Sequence, residues 1–261
     1  MSRIGIIGGT GVYNPDTFEL EEEVFPDTPY GKPSSKIMLG KINGVEVAFL
    51  FRHGHDGPAY PPTFVPYKAN MYALKQLGCK YVISVCTVGS LQEDYEPGDM
   101  VFTTDFIDFT KKRDYTYFDD KVVHISIPEP FCKYLNGTFA DTARELGIKF
   151  HDKGRYMCIE GSRFSTKAES AMFRNFADII GMTVCPECQL ARELGMCYCS
   201  LATITDYDVW KDDNPVTYEM IVETMSRCLD NVQKLLEKGL PKLTDDGCTE
   251  CIEAAKGCGA L

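Results

Sequence analysis

The chain has 261 residues, of which 44% are apolar, and this is enough for one large α/β domain or two smaller ones. Its formal charge of −11 argues against a nucleic acid partner, because phosphate backbones are bound by basic surfaces. No apolar run approaches the roughly 18–20 residues of a membrane-spanning helix, so we expect no membrane association.

The amino terminus and the cysteines indicate a cytoplasmic protein. Met1 leads directly into a predicted strand, so we expect no signal peptide. The twelve cysteines are spread through predicted strands and helices, which favours reduced thiols over a disulfide framework. Cys185 and Cys188 have the spacing of a redox motif, although no second pair stands where it would complete a zinc site. A disulfide, a metal site and no function all stay open for the tail cysteines Cys248, Cys251 and Cys258.

The first predicted strand covers residues 3–7 and runs into Gly8-Gly9-Thr10-Gly11. Glycines just after a strand allow the backbone to approach an anion, and Thr10 adds a hydroxyl donor. A tight structural turn explains the pattern equally well, because it is neither a complete dinucleotide-binding fingerprint nor a P-loop.

Residues 37–51 are predicted to form a hairpin with its turn at Asn43-Gly44. The second strand of this hairpin ends in Arg52-His53, and an arginine here can hold a phosphate with its planar guanidinium. The alternative is a surface arginine that pairs with one of the 38 acidic residues.

The rest of the chain alternates between predicted strands and helices. Residues 81–86 form a buried strand that ends at the polar sequence Thr87-Val88-Gly89-Ser90. The other predicted elements are a proline-rich loop at 56–66, a charged aromatic loop at 110–121, strands at 101–106, 156–160 and 178–183, and helices at 67–77, 129–146, 186–194, 215–239 and from 167.

Residues 197–210 contain a run of small and β-branched side chains over 200–205, which predicts a buried strand. The strand ends in two carboxylates, Asp206 and Asp208. Because open α/β sheets bind ligands at the carboxyl ends of their strands, these acids are candidates for polar recognition or proton transfer. The alternative is a solvated turn in which an aspartate caps the next helix.

The order of elements predicts an α/β fold, a single domain with a central mixed, largely parallel β-sheet flanked by helices. Polar side chains follow several strands at equivalent positions, and we expect them to line one crevice that is built partly for an oxyanion. These side chains are Thr10, Arg52, Thr87, Ser165, Thr183 and Asp206.

Six motifs together carry a family resemblance: IGIIGGTG, RHG, VGSL, IEGSRFSTKAES, GMTVCPE and TITDYDVW. In this order they resemble the 5′-methylthioadenosine phosphorylases, which are trimeric-type members of the purine nucleoside phosphorylase family. The resemblance extends over about residues 3–238. It implies a nucleoside phosphorylase-like catalytic domain at residues 1–240, followed by a Cys/Gly-containing tail at residues 241–261.

The resemblance also implies an activity, a pathway and an assembly. Inorganic phosphate would cleave the N-glycosidic bond of 5′-methylthioadenosine, giving adenine and 5-methylthioribose 1-phosphate for purine and methionine salvage. Phosphate would be a co-substrate, with no metal and no organic cofactor. The protein would be a homotrimer or a hexamer.

Matched positions imply the following roles. Phosphate would be held by Thr10, Arg52, His53, Cys86, Thr87 and Thr183. Met182 would lie against the ribose, while Phe164 and Ile180 would line the base pocket. Substrate preference would depend on Ser165 and Tyr218, and His124 would reach into the site of a neighbouring subunit.

The two aspartates fit the chemistry that the resemblance implies. The purine leaves with negative charge at N7, where a protonated Asp206 would act as the general acid, and a site sheltered from water would raise its pKa. Asp208 would stabilise the base and accept a hydrogen bond from an exocyclic amine. Family members that act on 6-oxopurines have asparagine there, so this sequence favours adenine over hypoxanthine.

A patch of Tyr115, Tyr117, Phe118 and Ile125 would be unusual on a monomer, and such patches mark interfaces. The alternative is that this loop folds back onto its own core. Two alternatives to the main activity also stay open. One is a broader purine nucleoside phosphorylase that acts on adenosine or inosine, and the other is a nucleoside-binding protein without catalysis.

Overall fold

The structure, a computed structural model, describes residues 2–57, 59–211 and 218–260. The side chains of Thr10 and of residues 218–223, 225 and 227 lie outside this description, so the predictions for Thr10 and Tyr218 fall outside it too. The described strands are β1 Ile4–Gly8, β2 Phe18–Val24, β3 Ile37–Ile42, β4 Val45–Phe51, β5 Tyr81–Ser90, β6 Met100–Phe102, β7 Asp105–Phe109, β8 Phe150–His151, β9 Arg155–Ile159, β10 Ile179–Gly181 and β11 Cys197–Asp206. The described helices are α1 Tyr67–Gln76, α2 Lys133–Glu145, α3 Lys167–Phe173, α4 Val184–Glu193, α5 Tyr218–Gly239 and α6 Glu250–Gly257.

One mixed sheet includes all of these strands. Its main path runs β2-β3-β4-β1-β5-β10-β9-β7, and β11, β6 and β8 continue from the other edge of β5. Six of the ten strand pairs are parallel. The predicted fold class, a single α/β domain with a mixed and largely parallel sheet, is therefore confirmed.

An opening in the sheet lies beside β5. Strand β11 pairs with one edge of β5 from Tyr81 to Gly89. On the other edge, β1 pairs only as far as Ser84, and β10 takes over at Gly89. Residues 85–88 therefore have no strand partner on that edge within the described part of the chain, and they border a gap between β1 and β10.

Two apolar layers cover the two faces of the sheet. Helices α1 and α4 pack on one face, with Met71, Leu74 and Leu190 among their buried side chains. Helices α2, α5 and α6 pack on the other face, where Phe139 and Leu235 are fully buried. A sheet covered on both faces explains why β5 and β11 are apolar along most of their length.

Turn chemistry sets several boundaries as predicted. Asn43 and Gly44 have φ values of 48° and 76°, which is the left-handed backbone that a two-residue hairpin turn requires. Gly78, with φ of 81°, follows the end of α1. None of the described helices is both long enough and apolar enough to cross a membrane.

Strand pairing corrects two of the predictions, and two further elements are not predicted. β5 continues to Ser90 rather than ending at Cys86, because β11 pairs with it as far as Gly89. The predicted strand at 101–106 is in fact two strands, β6 and β7, because they pair with different partners, β11 and β9. No element is predicted for residues 18–24 or 250–257, which form β2 and α6.

Candidate active site

A cavity of about 430 Å³ lies at the gap beside β5. The loops after β1, β4 and β9, strand β5, the carboxyl end of β11 and one side of α5 surround it. The predicted site residues that line it are Arg52, His53, Cys86, Thr87, Phe164, Ser165, Ile180, Met182, Thr183, Asp206 and Asp208. Strands that are far apart in the sequence thus bring these side chains to one place, as the crevice prediction requires.

Arg52 is buried, and most of its guanidinium contacts the protein instead of the cavity. Nε donates to Oε1 of Glu187 at 2.6 Å, and Nη2 donates to Oε2 of Glu187 at 3.2 Å and to Ser84 Oγ at 2.6 Å. Nη1 donates to the carbonyl of Val85 at 3.0 Å. Four of the five N–H groups are thus occupied, and a two-point grip on phosphate is excluded. Burial would lower the pKa of Arg52, but the Glu187 carboxylate more than reverses this and raises it.

His53 is held in one orientation by the loop that follows it. Its Nδ1 lies 2.8 Å from the carbonyl of Tyr60, and its own carbonyl accepts the N–H of Tyr60 at 2.9 Å. Burial and the nearby Arg52 lower the pKa of His53, which favours the neutral ring. Because a carbonyl only accepts, Nδ1 carries the proton, and Nε2 is left as an acceptor for a ligand O–H group.

Two threonine hydroxyls on the cavity wall are buried without a hydrogen-bond partner among the described residues. They belong to Thr183, which precedes α4, and to Thr203 on β11. Buried hydroxyls are normally paired, so both are available to a polar ligand. Cys86 lies nearby on β5, and its sulfur is 3.4 Å from Ser200 Oγ. Burial raises the pKa of Cys86, so this residue is a neutral thiol.

Asp206 is the last residue of β11 and is 7% exposed. Its Oδ2 accepts from Thr205 Oγ1 at 2.8 Å, and its Oδ1 accepts the backbone N–H of Asp208 at 2.8 Å. Burial raises the pKa of Asp206 against the effect of these two hydrogen bonds. The carboxyl group is thus fixed in position and biased towards its protonated form.

Asp208 follows in a left-handed conformation, with φ of 52°. Ser165 Oγ lies 2.6 Å and 2.8 Å from its two carboxylate oxygens, so the serine hydroxyl donates to this carboxylate. Remaining lone pairs of Asp208 can accept a hydrogen bond from a ligand. The structure therefore brings together two residues, Ser165 and Asp208, that stand 43 positions apart in the sequence.

Gly89 provides the space that the Asp206 carboxylate occupies. A Cβ atom at this position would lie 2.9 Å from Oδ1 of Asp206 and 3.1 Å from Cγ2 of Ile180. Strand β5 can therefore approach the acid this closely only with glycine at position 89.

The apolar side of the cavity is formed by Phe164, Ile180 and Met182. Phe164 is 51% exposed, which is unusual for an aromatic ring unless it covers a ligand or a partner. A capping box at the start of α3 holds its loop, because Thr166 Oγ1 accepts the N–H of Glu169 while Oε2 of Glu169 accepts the N–H of Thr166.

Behind Met182, an ion pair between a buried arginine and a half-buried glutamate supports the wall of the cavity. Arg113 Nε donates to Oε1 of Glu160 at 2.9 Å, and Nη1 of Arg113 donates to the carbonyl of Met182 at 2.7 Å. Sequence reasoning missed Arg113, Glu160, Glu187 and Thr203. Glu187 stands in the quoted GMTVCPE motif, where an acid in the first turn of an otherwise buried helix was the available signal.

His124 does not line the cavity of its own chain and is exposed. The predicted aromatic patch beside it is wrong for Tyr117, which is buried and donates from its hydroxyl to the carbonyl of Lys68 at 2.8 Å. This tyrosine folds back because Glu193 accepts its backbone N–H and Tyr30 packs against its ring. Of the other predicted residues, Tyr115 is 62% exposed, whereas Phe118 and Ile125 are half-buried. Val122, which was not predicted, is 85% exposed, so an apolar surface persists on the loop.

The cavity has an end near Arg52 and an end near Asp206, and the two are separated along β5. The Arg52 guanidinium contacts the carbonyl of Val85, whereas Asp206 lies against Gly89. Four residues of strand span about 13 Å. The cavity can therefore hold an anion at one end and offer a proton at the other, with room for a ring-sized group between them.

Comparison with known proteins places these features in a family. Residues 3–240 match the model of the phosphorylase superfamily. The S-methyl-5′-thioadenosine phosphorylase of Thermococcus kodakarensis is 54% identical over 257 residues, which cover 98% of each chain. Methylthioadenosine phosphorylase from Schistosoma mansoni in complex with adenine is 34% identical, with a TM-score of 0.91 over 98% of this chain and 96% of that one. A mutant of the Schistosoma mansoni adenosine/methylthioadenosine phosphorylase in complex with methylthioadenosine has a TM-score of 0.90 at 35% identity, over 98% of this chain and 96% of that one.

Proposed function

Because this chain belongs to the phosphorylase superfamily, we propose that it is a pentosyltransferase acting on 5′-methylthioadenosine and inorganic phosphate. The products are adenine and 5-methylthioribose 1-phosphate. Adenine enters purine salvage, and the methylthioribose phosphate enters methionine salvage. One observation carries the proposal. A fixed, buried Asp206 lies in the same cavity as Arg52, His53 and two threonine hydroxyls that have no partner within the described part of the chain.

The anion end of the cavity suits phosphate. Hydroxyl groups come from Thr87, Thr183 and Thr203. His53 Nε2 can accept a hydrogen bond from an O–H group of phosphate. Arg52 contributes its charge and one N–H group. Attack of phosphate on the anomeric carbon gives the sugar cationic character, and the bound anion stabilises that charge. Neither a metal nor an organic cofactor is needed for this step.

The acid end suits a departing adenine. A protonated Asp206 gives its proton to N7 as the C–N bond breaks, so that the base leaves without a full negative charge. Asp208, oriented by Ser165, accepts a hydrogen bond from the 6-amino group. Phe164 and Ile180 cover the faces of the purine, and Met182 lies against the ribose.

The assembly that we propose is a cytoplasmic homotrimer, alone or doubled to a hexamer, in which His124 reaches a neighbour's substrate. The exposed Tyr115 and Val122 support an interface at this loop. A contact of this head-to-tail kind closes into a ring when the rotation permits. Light scattering should give a mass of three or six times 29.3 kDa, and an active monomer or dimer would contradict the threefold arrangement.

A phosphorolysis assay tests the activity. Purified protein is given 5′-methylthioadenosine, adenosine or inosine, with and without inorganic phosphate, and release of the base is followed. We expect phosphate-dependent release of adenine, with the highest kcat/KM for methylthioadenosine. Comparable turnover of adenosine would instead support a broader phosphorylase, in keeping with the name of the Schistosoma mansoni adenosine/methylthioadenosine phosphorylase. Nucleoside binding without products would indicate a non-catalytic protein.

A further inference from the structure

Four buried cysteines from separate parts of the chain meet on the face of the sheet covered by α2, α5 and α6. They are Cys132, Cys197, Cys248 and Cys251. Two belong to the body of the fold, where Cys132 immediately precedes α2 and Cys197 begins β11. The other two form a CxxC pair in the tail, with Cys251 in the first turn of α6. The cluster therefore connects the tail to the sheet.

The distances between the sulfur atoms fit a four-coordinate metal. All four Sγ atoms lie within 4.8 Å of one another, and those of Cys248 and Cys251 are 3.8 Å apart. A tetrahedral zinc ion with Zn–S bonds of about 2.3 Å requires sulfur atoms about 3.8 Å apart. A two-residue spacer within one ligand pair is the usual spacing of structural zinc sites.

Backbone contacts hold the segments that carry the cysteines. The N–H of Cys132 donates to the carbonyl of Tyr198 at 2.8 Å, which fixes it beside Cys197. The tail is anchored just before Cys248, since Tyr81 donates to the carbonyl of Thr244 at 2.6 Å. The site is thus formed by rigid elements, as a structural metal site requires.

Two of the four cysteines lie at helix amino termini. Cys132 and Cys251 stand at the amino-terminal ends of α2 and α6, where the helix dipole stabilises negative charge. Arg192, which is 8% exposed, lines a cavity of about 180 Å³ together with Cys132, Cys248 and Cys251. Lys133 and the acids Glu129 and Glu250 line this cavity as well. It gives an ion a route to the cysteines, and it shares no lining residue with the active-site cavity.

We propose that Cys132, Cys197, Cys248 and Cys251 form a structural tetrathiolate site for Zn²⁺ that fastens the tail to the catalytic domain. Binding replaces the four thiol protons with the ion and involves no change in oxidation state. The ion is fully coordinated by protein, so it has no open position for substrate and no part in phosphorolysis. The CxxC pair at Cys185 and Cys188 is not part of this cluster.

Metal analysis of the intact protein tests the proposal. The full chain is expressed with zinc in the medium and purified under reducing conditions without chelators, and its metal content is measured by plasma mass spectrometry. We expect about one zinc per chain in the wild type and at least a fivefold loss in Cys251→Ser. Cys258→Ser is the matched control, because this tail cysteine lies outside the cluster, and it should retain the metal.

Cobalt substitution avoids reliance on variants that could fail to fold. Wild-type protein produced with Co²⁺ should show the intense visible bands of tetrahedral cobalt with four sulfur ligands, and added zinc should abolish them. The proposal is overturned if the wild-type protein contains no metal and its thiols are free. It is equally overturned if the intact mass is lower by the hydrogens lost when these cysteines pair as disulfides. Cobalt bands typical of octahedral oxygen ligation would overturn it as well.

Discussion

The carboxylate of Glu187 spans the guanidinium of Arg52, with Oε1 2.6 Å from Nε and Oε2 3.2 Å from Nη2. Tyr198 donates to the same carboxylate at 2.8 Å, and Ser84 at 3.0 Å. The Glu187 carboxylate thus accepts hydrogen bonds from three residues, Arg52, Ser84 and Tyr198, just behind the wall of the cavity that Arg52 lines. These contacts fix the orientation of the Arg52 guanidinium and leave one of its five N–H groups for a ligand.

Glu187→Ala is expected to lower the free energy of unfolding by about 3–5 kcal/mol, because it leaves the buried Arg52 charge without its partner. Urea denaturation monitored by circular dichroism measures the change. Glu21→Ala is the control, since the Glu21–Lys41 pair is on the surface, and it should cost at most about 1 kcal/mol. Equal losses in the two variants would contradict the importance of the buried pair.

Asp206→Ala is expected to lower kcat by about 10²–10⁴-fold, which is the usual contribution of a positioned general acid. Steady-state kinetics with methylthioadenosine at saturating phosphate measures it. Asp99→Asn is a suitable control, because Asp99 is also a buried carboxylate but its side chain pairs with His151 and Lys149 outside the cavity. A variant of Asp206 with near-normal kcat would rule out its role as the acid.

The raised pKa of Asp206 has a consequence for stability. The pKa of the folded state lies above the ordinary value of 3.8, so the folded protein binds more protons than the unfolded chain between these two values. The free energy of unfolding therefore falls as pH rises through that window. Relative to Asp206→Asn, which cannot titrate, the wild type should lose stability from pH 3.8 upward. Denaturant titrations at several pH values would show this, and a difference that does not change with pH would refute it.

Asp208→Asn should shift the base preference from 6-amino to 6-oxopurines, because an amide can donate to a carbonyl oxygen at C6. One hydrogen bond gained and one lost correspond to about a 10–100-fold change in the ratio of kcat/KM values for methylthioadenosine and methylthioinosine. Ser165→Ala keeps the Asp208 carboxylate and should preserve the preference for adenine while lowering kcat/KM. An unchanged ratio in Asp208→Asn would show that this residue does not read the base.

Gly89→Ala is expected to lower kcat by about 10²-fold, because the added Cβ would displace the Asp206 carboxylate from its position. Gly137→Ala provides the matched control. Gly137 lies in α2, where an added Cβ meets no atom within 4 Å, and alanine there should leave kcat unchanged and stabilise the helix by about 0.5–1 kcal/mol. If Gly89→Ala retained full activity, the close fit between β5 and the acid would be irrelevant to catalysis.

Local sequence patterns predicted much of the sheet but not its gap. The buried strand ending in Asp206 and the Asn43-Gly44 turn follow from residue types over short distances. The boundary of β5 at Ser90 could not be predicted in this way, because it depends on pairing with a strand more than a hundred residues later. The division into β6 and β7 likewise depends on pairing with distant strands, about 100 residues later for β6 and 50 residues later for β7.

The site residues were predicted better than their contacts. Motifs placed Arg52 in the cavity, but its guanidinium faces Glu187, and no motif shows which way a side chain points. The pairing of Ser165 with Asp208 likewise depends on tertiary structure. The prediction that Tyr117 is exposed was wrong because its partners, Glu193 and Lys68, lie on helices far from it in the sequence.

The acid of this site belongs to a paired strand, whereas Phe164 lies in a loop and Leu229 on α5. Mutations in the loop or in the helix can therefore alter which nucleosides are admitted while β5 and β11 hold Asp206 in place. Substrate range and the position of the acid thus depend on different elements of this fold. Selection can act on the first without putting the second at risk.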